Sequence, residues 1–363
     1  MAKGFSKIVT GTIDGLGVDI VTVETDITSG LPSLNLVGLP STTVREAKDR
    51  VRSGLANSMF DFPLARITVN LSPADLKKEG GHFDLPIAIG ILSAMGHMND
   101  QIVKSMIECS DSDEEAIPEI AYLGEISLDG SIKPIRMCVA LVLGLIEKGI
   151  RTFVVPQDNL EELVFIRNVH IIPISTIDEL QDIYDGFDYT KFVMSGLDGL
   201  DSFLTEASDL DVSVNDSIND YSEVLGQERA KRALQICAAG GHNILMVGPP
   251  GAGKTMLANR LASILPRLSE KEFYEVSRIY SIAGVERGIN MSRPVRSPHH
   301  FTTAAALLGG GYNAKPGEIA LAHRGVLFLD EFAEFDRRSL EVLRQPLENG
   351  HVEISRVGKK ITY

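Results

Sequence analysis

The stretch ILMVGPPGAGKTMLANRL, residues Ile244–Leu261, decides how this chain is read. Gly248, Pro249, Pro250, Gly251, Ala252, Gly253, Lys254 and Thr255 give the spacing G-x-x-x-x-G-K-T. That spacing is the phosphate-binding loop, in which consecutive backbone N–H groups converge on an anion because glycines leave the approach open. The run NILMV before it reads as a strand, and LANRLASIL after it reads as a helix stopped by Pro266. Lys254 supplies a point charge for the β- and γ-phosphates, and Thr255 offers a hydroxyl to Mg²⁺. The implied ligands are therefore a nucleoside triphosphate, ATP in the first instance, and Mg²⁺.

A second element belongs with the loop. Gly325–Glu331, GVLFLDE, places two acids at the end of a four-residue apolar run. Such a run reads as a buried parallel strand whose C-terminal end lies beside the phosphate loop. Asp330 is then the residue that shares Mg²⁺ with Thr255, and Glu331 the one that orients and deprotonates the attacking water. His299-His300 form a further pair, expected to point in different directions and to lack acidic or cysteine partners at ligand spacing. The expectation for them is a loop that packs against, or senses, the nucleotide neighbourhood.

Outward from this centre, the whole chain has the composition of a globular protein. Its 363 residues exceed the usual size of one core, and 44% hydrophobic with 23% charged residues excludes a disordered chain. No window approaches the roughly 18 uninterrupted apolar residues of a membrane span, so the expectation is a cytoplasmic protein without membrane partners. Cys109, Cys138 and Cys237 are widely spaced, which suggests neither a disulfide framework nor a thiolate metal site.

The net charge of −14 argues against a polyanion partner until its distribution is considered. Two lysine- and arginine-free acidic runs, around residues 108–119 and 196–221, hold much of the negative charge. From Val224 onward there are 19 Lys and Arg against 13 Asp and Glu, about +6, which leaves about −20 for the rest. Only the C-terminal part is a candidate for a nucleic-acid partner.

The patterning gives three segments. Residues 1–189 mix strands, a helix N-capped near Ser41, a buried helix in DLPIAIGILSAMG, a hairpin about Asp129-Gly130, and a second buried helix ending at Gly149. That is the signature of an α+β domain. Residues 190–220 read as an acidic linker, and residues 221–363 as an α/β domain. The last stretch, GHVEISRVGKKITY, alternates as a hairpin with Val357-Gly358-Lys359 at its tip, where Arg356, Lys359 and Lys360 gather positive charge.

Taken together, GQERAKRAL, GPPGAGKT, GVLFLDE and the long string from Arg293 to Arg356 resemble the magnesium-chelatase-like AAA+ ATPases, specifically the YifB/ComM family. The resemblance implies a hexameric ring motor that acts on DNA in natural transformation as a branch-migration helicase. It places the terminal hairpin near a ring pore, where Arg356, Lys359 and Lys360 become candidate DNA contacts. It also implies a sensor strand, an arginine finger and a helical lid beyond Tyr363, so the chain is expected to be an N-terminal portion with impaired hydrolysis. The rival expectations are a chelatase-type ATPase that remodels a metal-inserting partner, and a nucleotide-binding fragment without turnover.

Residues 1–189 resemble the Lon-protease-like fold, related to domain 2 of ribosomal protein S5, through GLPSLNLVGLPSTTVREAKDRVRSGL, ITVNLSPADLKKEGGHFDLPIAIG and YLGEISLDGSIKPI. The fold expected overall is thus a Lon-like α+β domain followed by a partial P-loop AAA+ α/β domain. A Ser-Lys protease needs a nucleophilic serine and a basic lysine. Where Lon-like proteases carry the serine, this sequence reads Lys78-Glu79-Gly80-Gly81-His82-Phe83, and the lysine position falls at Val139. Ser72 shows no lysine partner in the sequence. The domain is expected to lack the dyad and to serve as a scaffold.

Overall fold

The computed structural model describes residues 4–98, 120–184, 194–195, 221–310, 315–356 and 359–363. The acidic run at 108–119 and most of the expected linker lie outside those residues. Packing divides the chain into two units, Met1–Leu204 and Thr205–Tyr363.

In the first unit, strands β1 (Gly4–Asp14) and β2 (Gly17–Thr28) form a long antiparallel hairpin, followed by β3 (Ser33–Val37), helix α1 (Thr42–Ala56) and β4 (Arg66–Ser72). Helix α2 (Asp84–Ala94) leads to β5 (Ile120–Tyr122) and the small hairpin β6 (Glu125–Ile126) and β7 (Ile132–Lys133). Helix α3 (Cys138–Glu147), β8 (Thr152–Pro156), β9 (His170–Ile174), α4 (Glu179–Tyr184) and β10 (Met194–Ser195) complete the unit. One mixed sheet runs β10-β9-β8-β5-β1-β2-β4-β3, parallel at four of its seven junctions. This is a mixed α/β architecture.

The helices show why they sit where they do. Ser41 caps α1, its hydroxyl accepting from the Val44 N–H, and only Val44, Ala47, Val51, Gly54 and Leu55 of that helix are buried. α2 is apolar all round and is buried from Asp84 to Leu92. Each Leu or Ile so buried contributes roughly 1.5–3 kcal/mol, which an exposed helix of this composition would forgo. Ile8 of β1 packs into the core with α1 and α2. Gly11, of opposite parity, faces Leu145 of α3, so the sheet is covered on both faces.

Met194–Ser195 lies within the residues expected as the linker. These two residues pair antiparallel with Ile171 and His170 of β9, taking up hydrogen bonds that an uncovered edge strand would leave open.

In the second unit, α5 (Glu228–Gly240) precedes the phosphate loop, and α6 (Lys254–Arg260) follows it. Next come α7 (Glu270–Ala283), β11 (Val295–Arg296), α8 (Ala304–Leu308), β12 (Gly309–Gly310), β13 (Lys315–Pro316), α9 (Glu318–Leu321) and β14 (Val326–Leu327). The unit ends with α10 (Arg337–Glu341), α11 (Arg344–Asn349) and the hairpin β15 (Glu353–Arg356) and β16 (Lys359–Thr362). Tyr221, Val224, Leu234, Ala238, Leu257 and Leu261 form the core that joins α5 to α6. α7 begins with a complete capping box, Ser269 and Glu272 each satisfying the other's backbone N–H.

Three expectations change here. Ile244–Val247 pairs with no strand among the described residues, and Leu245 and Val247 are 74% and 88% exposed. The apolar run at 325–329 forms a strand only at Val326–Leu327, half-buried, because among the described residues it has one neighbour, the parallel β11. Apolar composition favours a buried strand, but a ladder needs partners on both sides to cover it. In the terminal hairpin, Arg356 pairs with Lys359, which places Lys359 in a strand and not at the tip; Val357 and Gly358, the rest of the expected tip, lie outside the described residues.

Candidate functional site

The phosphate loop has the backbone its sequence requires. Gly251 and Gly253 sit at φ 78° and 80°, a left-handed region that side-chain-bearing residues enter at a cost. A Cβ at Gly251 would meet nothing within 4 Å, so its left-handed backbone and not crowding is what favours glycine there. Gly253 caps α6, placing Lys254 and Thr255 in the first turn, where backbone N–H groups have no helical acceptor. Lys254 Nζ donates to the Gly248 and Pro249 carbonyls at 2.9 and 3.1 Å, folded onto the loop it serves. The Gln227 side chain donates to the Ala252 carbonyl at 3.3 Å, tying the start of α5 to the loop.

Thr255 and Asp330 meet although 75 residues separate them: the Thr255 hydroxyl donates to Asp330 Oδ2 at 2.8 Å. The other oxygen, Asp330 Oδ1, accepts from the Glu331 N–H at 2.9 Å. The donor set, one hydroxyl and one carboxylate beside an open helix N-terminus, suits Mg²⁺, which takes hard oxygen ligands and is usually held with substrate phosphates. Glu331 has left-handed backbone, φ 51°, and its side chain turns toward His300, with His300 Nδ1 3.4 Å from Glu331 Oε2. The two histidines do not diverge as expected. Their ring centroids lie 4.0 Å apart, because the segment turns tightly: the Thr302 N–H donates to the His299 carbonyl at 2.8 Å.

The segments that carry these residues are held by ion pairs. Arg293 bridges Glu272 on α7 at 3.1 Å and donates to the Pro266 and Arg324 carbonyls, while Arg296 makes a two-point pair with Glu318 at 2.7 and 2.8 Å. Glu275 accepts from Arg324 at 2.8 Å, which holds its carboxyl below the usual range. Sequence reasoning missed the meetings of His300 with Glu331 and of Gln227 with Ala252. Both depend on tertiary register, and nothing in local pattern signals them.

The backbone places Arg356 and Lys359 at the closed end of the terminal hairpin and Lys360 one residue on. In the first unit, the turn compared with Lon-like proteases is filled by other groups. Lys78 is fully buried, its ammonium donating to the Pro73 carbonyl, and burial lowers its pKa. No hydrogen bond joins it to the Ser72 hydroxyl among the described residues. His82 is buried with Nε2 2.9 Å from the Gly11 carbonyl, and Val139 is buried in α3. Asp84 accepts from Arg50 at 2.6 and 2.9 Å and from the Ile126 N–H at 3.3 Å. Burial nonetheless leaves its pKa raised, since desolvation outweighs the guanidinium.

Comparison with known proteins matches these features to one group. A family model described as "Magnesium chelatase, subunit ChlI" covers residues 220–363, and one described as "Subunit ChlI of Mg-chelatase" covers residues 23–159. The chain is 41% identical over 351 residues to the uncharacterized protein YifB of Escherichia coli, covering 96% of this chain and 64% of that protein. It is 40% identical over 351 residues to the competence protein ComM of Haemophilus influenzae, with the same coverage. The chain belongs to the YifB/ComM family of magnesium-chelatase-like proteins. An uncharacterized relative from Mycobacterium tuberculosis is 39% identical over 360 residues, covering 98% of this chain and 65% of the relative. The chain thus spans just under two-thirds of the length of the YifB/ComM relatives it matches. Among the described residues, no helix is long and apolar enough to cross a membrane.

Proposed function

We propose that the second unit binds ATP with Mg²⁺ and that, in the complete protein, hydrolysis at this site drives a ring-shaped motor acting on DNA, as the resemblance to ComM implies. The observation that carries the reading is the 2.8 Å contact between the Thr255 hydroxyl, in the first turn after the glycine-rich loop, and Asp330 Oδ2. Thr255 and Asp330 would hold Mg²⁺, whose charge offsets that of the phosphates. Lys254 would leave the Gly248 and Pro249 carbonyls for the β- and γ-phosphates. The backbone of Gly248–Thr255 would cradle them, and Glu331 would aim the attacking water and take its proton. Arg356, Lys359 and Lys360 would meet the DNA backbone, and the first unit would be a scaffold for assembly in the cytoplasm.

The test pairs binding with turnover. Lys254→Ala should abolish ATP binding measured by calorimetry, and Glu331→Gln should keep binding while removing hydrolysis. Unchanged values in both variants refute the site. A chelatase-type remodelling ATPase, favoured by the description of the matching family models, is separated by DNA. A motor of the ComM kind gains turnover with DNA and binds it with steep salt dependence, whereas a chelatase-type subunit does neither.

A further inference from the structure

We infer that Gln227 is a positioning residue for the phosphates: its side chain, reaching in from the start of α5, settles which way one backbone N–H of the glycine-rich turn points. The inference rests on the reading of Gly248–Thr255 as the phosphate site and adds to it a residue from outside the motif. Gln227 Nε2 donates to the Ala252 carbonyl at 3.3 Å, across 25 residues of sequence. The peptide between Ala252 and Gly253 is trans, and a trans peptide holds its C=O and its N–H on opposite sides. With the Ala252 oxygen turned toward α5, the Gly253 N–H points away from that helix. In a loop of this kind, such N–H groups are what hold the anion.

This peptide needs a restraint because its own residues supply little. Turning it over changes ψ of Ala252 and φ of Gly253, and glycine takes either sign of φ at small cost. The Gly248 and Pro249 carbonyls are held from within the motif, by Lys254, the group that leaves for the phosphates when nucleotide binds. That restraint is lost at the moment the loop is used. The Gln227 bond involves no group that the phosphates claim, so it persists. Gln227 is also a donor with a fixed base. Its backbone is left-handed at φ 58°, and its carbonyl accepts from the Lys231 N–H at 2.9 Å in the first turn of α5. The Tyr221 hydroxyl donates in turn to the Lys231 carbonyl at 2.5 Å. Leu234 and Ala238 of α5 share a core with Leu257 of α6, so donor and loop belong to one packed body. Without the bond, a smaller fraction of loops has this peptide in the binding orientation, and apparent affinity falls with that fraction.

Gln227→Met keeps the length of the side chain and removes its donor. Labelling the full chain with carbonyl-¹³C alanine and ¹⁵N glycine selects its three Ala–Gly peptides, 239–240, 252–253 and 283–284. The Gly253 amide, assigned by its disappearance in Ala252→Ser, should move in Gln227→Met while that of Gly284 stays in place. A Gly253 amide indifferent to Gln227→Met overturns the inference. By calorimetry, Gln227→Met should weaken ATP and inorganic tripolyphosphate alike, about two- to tenfold for the loss of one ordinary hydrogen bond. A loss confined to ATP would mean that Gln227 serves the nucleoside and not the phosphates, and unchanged affinity for both would mean that the peptide keeps its direction unaided; either result overturns the inference. A wild-type chain that binds neither ligand refutes the reading of the loop as a phosphate site, and the Gly253 amide still decides whether Gln227 sets its direction.

Discussion

Replacing His82 should remove most of the acid sensitivity of the first unit between pH 6.5 and 4. The imidazole is buried, and its Nε2 must donate to the Gly11 carbonyl, since a carbonyl can only accept. A Cβ at Gly80 would lie 2.6 Å from Nδ1, so that side of the ring has no spare room. Burial lowers the pKa to about 4 from 6.5, the Gly11 hydrogen bond only partly opposing it. The unfolded chain therefore takes up a proton at pH 6.5 that the folded chain refuses until about pH 4. The neutral ring's contribution is complete above pH 6.5 and is lost as pH falls to about 4. With 1.36 kcal/mol per pKa unit, the loss is about 3 kcal/mol, a large part of an ordinary domain's stability. Urea unfolding of wild type and His82→Asn, followed by circular dichroism from pH 7 to 4, reads the difference, and Asp84 and other shared carboxylates cancel in it. Amide exchange in peptides from Gly4–Asp14 assigns the change to the first unit. Parallel pH profiles for the two proteins, or a His82 ring that titrates near 6.5, would refute the reasoning.

Three further outcomes follow from the geometry. Arg50→Ala strands the buried Asp84 carboxylate without its two-point partner. It should cost about 3 kcal/mol by denaturant titration, at the lower end for buried pairs because Arg50 is 21% exposed. Ser269→Ala removes one half of the capping box on α7 and should cost about 1 kcal/mol, read as a lowered Tm of the second unit. Gly251→Ala introduces a side chain at φ 78° in the phosphate loop. It should weaken ATP binding at least tenfold with the far-UV spectrum unchanged, as checked by calorimetry.

The legible parts of this chain were those set by short-range chemistry. Ser41 at the start of α1, the Asp129-Gly130 hairpin and the uniformly apolar α2 each follow from residues within a turn of one another. The backbone of the glycine-rich turn was legible for the same reason: its glycines permit left-handed conformations, and Gly251 and Gly253 adopt them. What the sequence did not disclose depends on distant partners. Ile244–Val247 has strand composition but, among the described residues, no strand beside it, so hydrophobicity alone misjudged its burial. Lys78 and His82, compared at first with a protease turn only by position, prove to be buried groups fastened to the carbonyls of Pro73 and Gly11. The approach of His300 to Glu331 needed the pairing of β11 with β14, which no window of either segment contains.

That two-residue pairing works as a shared origin for two short counts along the chain. Val295 sits beside Val326 and Arg296 beside Leu327, locked by N–H donation from Val326 to Pro294 and from Phe328 to Arg296, both at 2.8 Å. From that common zero, four residues lead to His300 in one segment and to Glu331 in the other, both beyond the ladder. Both segments leave the ladder before they meet, one through the turn at His299–Thr302 and the other through the left-handed backbone of Glu331, and they bring His300 Nδ1 to 3.4 Å from Glu331 Oε2. Insertions in most surface loops of this protein would be absorbed; between Arg296 and His300, or between Leu327 and Glu331, even a single residue would break the alignment while leaving the ladder intact.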